Sequence, residues 1–339
     1  MKRVLYLTFS KRAPDNYYQD GSVIYRCIHP CEFLRAQSFN ADVVHYLNVF
    51  DLDLTHKKYD IVIFHRPFLT DNFDLLIQHF EHAQVIADFD DCLFDSSIID
   101  SHPALLSGQT SKTSLLKNIH EYQSILKFFS RFTVTTHALK SKLLDLKPDC
   151  TVTLVPNGIS NNWVSLFNSY TKLYQKPEKL IISYFSGTKN HGADLDLHIS
   201  KLTDLVDKYS NIEIHLYGCW PFADDLVKGF VSKKPVHFNL LPLLISQSSL
   251  CIAPLEDSDF NRCKSNIKIL EAISCFTPII TDQIGEHNLQ HPGIFPTQCN
   301  WVNVIDNLDS IDFTHSNIQD SLAGFFMDQC MANFIEAYL

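Results

Sequence analysis

Residues 250–282 read LCIAPLEDSDFNRCKSNIKILEAISCFTPIITD, and the pattern of this stretch decides how the rest of the chain is organised. Leu250–Pro254 is a short apolar run of the kind buried on both faces of a parallel sheet. Glu256–Asn261 is polar and acidic, which predicts a loop at the carboxyl end of that strand. Ser265 is the expected N-cap of a helix whose apolar face is Ile267, Leu270, Ala272 and Ile273. Pro278–Thr281 is the expected next strand. Lys264 and Lys268 are four apart, so both can point to one side of the first helical turns. A helix N-terminus presents free N–H groups and a partial positive charge, and two lysines and a serine there make a site for a phosphorylated ligand. Glu271 lies one turn on, where a carboxylate can accept hydrogen bonds from a ribose. The competing reading is a surface helix with solvated lysines; the loop, cap, lysines and glutamate together favour the nucleotide site.

Outward from this stretch the same alternation recurs. In the first half, Val4–Phe9, Ala41–Tyr46, Tyr59–Phe64, Gln84–Ala87, Phe132–Thr136 and Thr151–Val155 read as strands. Tyr25–Gln37, Asp71–Phe80, Ser111–Phe129 and Ala138–Leu146 read as helices. Trp163–Lys179 is polar, aromatic and weakly periodic, the expected linker. A second series follows, with strands at Leu180–Phe185, Ile212–Tyr217 and Val236–Phe238 and helices at Ala193–Lys208 and Leu241–Gln247. Asn317–Tyr338 has apolar residues on a helical period. The alternation predicts an α/β fold of two Rossmann-like, doubly wound parallel-sheet domains facing across a cleft. The expected division is 1–165, 166–316 and a terminal helix over 317–339 that crosses back to the first domain.

Composition narrows the function classes. The 339 residues suffice for two ordinary domains, and 45% hydrophobic with 19% charged residues is a globular balance. The net charge of −10 is uneven: residues 1–165 carry 16 basic against 18 acidic groups, and residues 166–339 carry 12 against 20. That balance speaks against nucleic acid as a partner. The near-neutral first half tolerates an anionic membrane surface better than the second. The opening MKRVLYLTFSKRAPD has too short an apolar run for a secretory leader, and no run of about 18 apolar residues predicts a membrane-spanning helix. Ten scattered cysteines without a Cys-x2-Cys pair read as reduced thiols of a cytoplasmic protein. Cys27, His29 and Cys31 alternate, but on a helix residues i and i+2 diverge by about 200°, so core packing is the better reading than a metal site.

Four further groups carry chemistry. Ser186, Gly187, Thr188, Lys189 and His191 follow the first strand of the second half, where ligands of parallel sheets bind. Gly187 lets backbone approach a diphosphate, Ser186 and Thr188 can donate to it, and Lys189 adds charge; the alternative is an ordinary turn. Asp88, Asp90 and Asp91 cluster at a strand end. They read either as a cleft group that orients or deprotonates an acceptor, as a metal site, or as a helix cap with an internal partner such as Arg66. Two halves with the nucleotide signals in the second disfavour the metal. Arg66 and Asn157 end strands of the first half, and Gly21, in the long loop after the first strand, permits close backbone approach.

The segment FNRCKSNIKILEAISCFTPIITD, residues 260–282, resembles the sugar-nucleotide segment of GT-B glycosyltransferases, in particular the glycogen-synthase-like group 1 enzymes of bacterial capsule and O-antigen assembly. Many of that group carry Glu-x7-Glu here. Glu271 matches the second glutamate, which holds ribose, while the first falls on Cys263, so the donor-sugar contact cannot be carried over. Ser186-Gly187-Thr188 followed by His191 resembles the group's donor-phosphate loop, and Pro156-Asn157-Gly158 its segment before the domain crossover. The resemblance implies transfer of a sugar from a nucleotide-sugar to a glycan or lipid-linked acceptor, with the donor on the second domain and the acceptor on the first. It implies retention of configuration, no cofactor and no metal, and Asp90 or Asp91 orienting the acceptor. Lys264, Lys268 and the 186–189 loop would stabilise the departing phosphate. The expected place is the cytoplasm, with peripheral contact to the inner membrane or to other polysaccharide-assembly enzymes. A sugar-nucleotide epimerase or phosphorylase of the same build, or a non-catalytic glycan-binding or scaffolding subunit, are the alternatives.

Overall fold

A computed structural model describes residues 2–50, 58–172, 177–186, 192–218, 229–282, 284–287 and 289–339. The first half builds one six-stranded sheet from β1 (Arg3–Thr8), β2 (Asn40–His45), β3 (Ile61–His65), β4 (Gln84–Phe89), β5 (Arg131–Val134) and β6 (Thr151–Leu154), in the order β2-β1-β3-β4-β5-β6. The second half builds another from β7 (Leu180–Phe185), β8 (Ile212–Tyr217), β9 (Phe230–Lys233), β10 (Leu250–Ala253), β11 (Ile279–Thr281) and β12 (Ile294–Pro296), in the order β12-β11-β10-β7-β8-β9. Every strand pairing in both sheets is parallel. The strand order reverses direction between β1 and β3 in the first sheet and between β7 and β10 in the second. These are the two switch points of a doubly wound pair, where crevices open beyond the carboxyl ends of strands. The fold is GT-B, two Rossmann-like units facing across a cleft.

Side-chain alternation along buried strands sets the cores. Leu5 and Leu7 of β1 join Phe64 and Phe89 on one face of the first sheet, while Val4 and Tyr6 join Ile63 and Ile86 on the other. In the second sheet Ile182, Ile214 and Ile252 fill one face, and Cys251 and Ile279 pack with the helix after β10 on the other. Residues buried on both faces read as continuous apolar runs, which is why these strands were legible.

The halves are joined twice. The outward crossing enters helix α1 of this junction (Asn161–Thr171), capped by the Ser160 hydroxyl accepting from Trp163 N–H. Trp163 and Phe167 pack among Ile245, Ile269 and Ile273 of the second half. The expected linker therefore begins as an amphipathic helix, and the expected boundary at residue 165 falls inside it. The return crossing precedes α2 (Met327–Tyr338), whose Met327, Met331, Phe334 and Tyr338 pack on Val4, Tyr6 and Ile63 of the first sheet. The two crossings touch: Ile159 N–H donates to the Phe325 carbonyl at 2.8 Å, and Met327 N–H to the Ile159 carbonyl at 3.1 Å. A Cβ on Gly158 would lie 2.6 Å from Cys330 Sγ and 2.9 Å from the Phe325 carbonyl oxygen. Glycine there is required by the close approach of the crossings, beyond any turn preference of Asn-Gly.

Other departures are local. The expected helix 317–338 is two, His315–Ser321 and α2, separated by a break at Gly324 with φ +88°. The expected helix 193–208 is also two, Gly192–Asp196 and Ile199–Lys208. Val236–Phe238 is not a strand; the edge position goes to β9, and β12 had no apolar run long enough to announce it.

Candidate functional site

A cavity of about 370 Å³ lies between the carboxyl ends of the two sheets. From the first half it is lined by Gly21, Ser22, Arg66, Asp90, Asp91 and Asn157, and from the second by Ser186, Lys264, Ser265, Lys268 and Glu271. Apart from Asp88, every candidate site residue that falls among the described residues thus meets at one place. Gly187, Thr188, Lys189 and His191 lie outside the described residues.

On the second-half wall, helix α3 of the site (Ile267–Ser274) starts beside the cavity. Its N-cap is Asn266, which makes no side-chain cap bond, and not Ser265 as expected. Ser265 instead accepts a hydrogen bond from Asn157 Nδ2 at 3.0 Å. Lys264 accordingly precedes the helix rather than sharing its first turn with Lys268. Its Nζ stands 3.4 Å from Asp91 Oδ1 and 4.6 Å from the centre of the Phe260 ring. Lys268 Nζ bonds Glu271 Oε2 at 2.9 Å, and Glu271 itself is 2% exposed. At the end of β7, Ser186 N–H donates to the Tyr217 carbonyl at 2.9 Å. Gly218 has φ +106°, and a Cβ there would lie 2.2 Å from the Ser186 carbonyl oxygen, so only glycine fits. Phe185 stacks on Tyr217 at 4.7 Å, and Pro235, Val236, Phe238 and Leu241 complete an apolar side of the cavity.

Cys263, the position of the first glutamate in the resembling group, does not line the cavity. It is fully buried in the first half's core together with Phe260 and Cys92, and Thr136 Oγ1 donates to its carbonyl at 3.0 Å. The chain presents Lys264, one residue on, where an acid was expected. An apolar thiol is at home in that core, whereas a glutamate there would carry the desolvation cost of a buried charge.

The Asp88–Asp91 cluster is not one unit. Asp88 points away from the cavity into a buried pair with Arg26, with Nη2 at 2.5 Å and Nε at 3.1 Å, and accepts from Thr133 Oγ1 at 2.7 Å. Arg26 also donates to the Val155 carbonyl at 2.6 Å and to Asn157 Oδ1 at 3.2 Å, which ties β4, β6 and the crossing together. Asp90 faces the cavity floor, bonded to Arg66 Nε and, at 2.5 Å, to the Ser22 hydroxyl. Burial opposes its ionisation, but the Arg66 guanidinium, followed by His65, overcomes that and holds the carboxyl well below the usual carboxylate range. So weak a base is suited to orienting groups and not to taking protons. Asp91 is more open, with 22% of its side chain exposed, and is shared between Arg66 Nη2 at 3.1 Å and Lys264. Arg66 adopts φ +50°, a conformation that costs energy for a long side chain and is held here by its two carboxylates.

Two features escaped the sequence reading. Gly21 opens a helical run of Gly21–Val23, a π-helical turn at Ile24–Ile28 and His29–Ala36. A Cβ on Gly21 would meet nothing within 4 Å, so this position opens onto free space. The π turn, a local unwinding often found at functional sites, carries Tyr25 and Arg26, neither marked by any motif. Tyr25 OH donates to Glu271 Oε1 at 2.7 Å across the cleft. Burial, then the Glu271 charge, push this phenol well above its ordinary range, so it stays a donor. Cys27, His29 and Cys31 are core side chains, and among the described residues no cluster of three or more metal-binding side chains occurs.

No family model and no curated protein matches the chain. Solved structures do match over its whole length. WaaG, a glycosyltransferase involved in lipopolysaccharide biosynthesis, superposes with a TM-score of 0.55 at 11% identity, covering 99% of this chain and 97% of the other. A UDP-forming α,α-trehalose-phosphate synthase from Burkholderia xenovorans gives 0.56 at 11%, covering 99% and 98%. A candidate UDP-N-acetylglucosamine 2-epimerase from Listeria monocytogenes gives 0.55 at 13%, covering 99% and 96%. Identities this low speak for the shared GT-B architecture alone.

Proposed function

We propose that the protein is a glycosyltransferase that moves a sugar from a nucleotide-sugar donor to a glycan or lipid-linked acceptor in surface-polysaccharide assembly. The observation that carries this reading is the single cavity at both switch points, with Lys264, Ser265 and Lys268 at the start of α3 and Glu271 one turn on. The donor diphosphate sits at that helix start, among N–H groups and two ammonium groups. The ribose bonds Glu271, and the base lies toward Phe238 and Leu241. Ser186, Gly187, Thr188, Lys189 and His191 serve the donor's phosphates and sugar.

The acceptor enters from the first half, over Gly21, Ser22, Arg66 and Asn157. Asp91 orients its hydroxyl, and Asp90 fixes Arg66. Stabilising the charge that grows on the departing diphosphate is the main catalytic contribution, supplied by Lys264 and Lys268. Transfer proceeds with retention and without metal. The resemblance of residues 260–282 is what supports a place in surface-glycan assembly, at the cytoplasmic face of the inner membrane. Among the described residues no helix is long and apolar enough to cross a membrane; the proposed contact with it is peripheral.

A thermal-shift and calorimetric screen of UDP, GDP, ADP, CMP and their sugars tests the reading. At least one nucleotide should raise the melting temperature, and its sugar should be consumed faster when acceptor is present. Conversion of the donor without acceptor favours the epimerase build, for which the Listeria neighbour speaks. No stabilisation by any nucleotide overturns both.

A further inference from the structure

The groups proposed to bind the donor are already occupied, and by side chains of the opposite half. Glu271 Oε1 accepts from Tyr25 OH at 2.7 Å, Ser265 Oγ accepts from Asn157 Nδ2 at 3.0 Å, and Lys264 Nζ stands 3.4 Å from Asp91 Oδ1. The remaining Glu271 oxygen is taken by Lys268 at 2.9 Å. The contacts are sequence-distant: Tyr25 lies in the π turn after β1, Asn157 follows β6 and Asp91 follows β4, yet all three converge on residues 264–271. Apolar packing lies beside them, with the Tyr25 and His29 rings 5.4 and 5.5 Å from the Phe238 ring of the second half.

We infer that Tyr25, Asn157 and Asp91 form a latch across the cleft that competes with nucleotide for Glu271, Ser265 and Lys264. The inference rests on the donor site proposed above and adds its regulation. A carboxylate 2% exposed cannot receive a ribose diol while Tyr25 stays in place. Nucleotide entry therefore exchanges protein–protein for protein–ligand hydrogen bonds, and the two halves must separate at Tyr25 for it to happen. A ligand whose binding form is a minor fraction binds more weakly by that fraction. Removing the latch partner raises the fraction and tightens binding, the reverse of what loss of a ligand contact does. A first half that holds these groups satisfied also keeps a buried carboxylate from standing unpaired between turnovers.

The test uses the full chain and three proteins: wild type, Tyr25→Phe and Asp91→Asn. Tyr25→Phe keeps the ring packing and removes only the hydroxyl. Calorimetry with whichever of UDP, GDP, ADP and CMP binds wild type should give a Kd about 10-fold lower for Tyr25→Phe, as for a latch closed roughly nine times in ten, and no weaker binding for Asp91→Asn. Deuterium uptake of the ligand-free protein over residues 21–28 and 264–272 should rise in Tyr25→Phe at an unchanged melting temperature. A Kd that is unchanged or higher in Tyr25→Phe overturns the latch. If none of UDP, GDP, ADP and CMP binds wild type, the donor-site reading falls, and the latch is then judged on deuterium uptake alone: no increase in Tyr25→Phe overturns it too.

Discussion

Neutralising Asp88 and Asp91 one at a time, as Asp88→Asn and Asp91→Asn, should separate two carboxylates that stand three residues apart. Asp88 accepts three hydrogen bonds in a site where its side chain is 2% exposed and that of Arg26 is 3%. The amide isostere keeps the volume but leaves the Arg26 guanidinium buried without a counter-charge. Removing one member of such a pair costs about 3–5 kcal/mol. Asp91 shares Arg66 with Asp90, and its side chain is 22% exposed, so Arg66 keeps a carboxylate partner after the change. The loss there should stay within about 1 kcal/mol, the range of solvent-exposed pairs. Urea unfolding at constant m measures both. Turnover should show the reverse order once the fold is controlled for: Asp91→Asn should lose about 10²-fold, the scale of a positioned acid–base or orienting group. Equal stability losses for the two variants, or a larger one for Asp91→Asn, would refute the division of the cluster into a structural and a functional part.

Three further outcomes follow from the geometry. Burial lowers the His29 pKa from 6.5 to about 4, so the unfolded chain takes up the proton first and stability falls as pH drops from 6.5 toward 4. The contribution is complete above pH 6.5 and its loss reaches about 3 kcal/mol; pH-dependent unfolding of His29→Leu should show a correspondingly shallower acid limb. Gly218→Ala places a Cβ against the Ser186 carbonyl at a positive φ and should cost about 1–3 kcal/mol with weaker nucleotide binding, read by melting and calorimetry. Sugar transfer should survive excess EDTA, and an absolute need for Mg²⁺ or Mn²⁺ would contradict the metal-independent mechanism.

The fold was legible where a single physical cause acts on a contiguous stretch. Strands buried on both faces leave apolar runs, and helices over a sheet leave a 3.6-residue stripe, so ten of the twelve strands were read in place, while the run at 236–238 is no strand and β9 forms at 230–233 instead. Short edge strands bury too little to leave a run, as at β12. The carboxyl ends of strands marked the site because parallel sheets place ligands there, and that rule brought Arg66, Asn157 and Ser186 to the same cavity as Lys264. The details that failed depend on the other half of the chain. Ser265 has the chemistry of a cap but bonds Asn157, 108 residues away. Asp88 looks like its neighbours until Arg26 is seen beneath it. Tyr25 belongs to an ordinary amphipathic helix until an unwinding turn directs it to Glu271.

The central claim is that a nucleotide's phosphates lie at the start of α3. Calorimetric titration of wild type and Lys264→Ala with the nucleoside diphosphate that stabilises wild type best tests it most directly. The claim predicts binding weaker by about 1.5–3 kcal/mol, the value of a charge-assisted hydrogen bond, with only a small change in melting temperature, since the Asp91 pair that is lost is a long one at 3.4 Å. Equal affinity in the two folded proteins would contradict it.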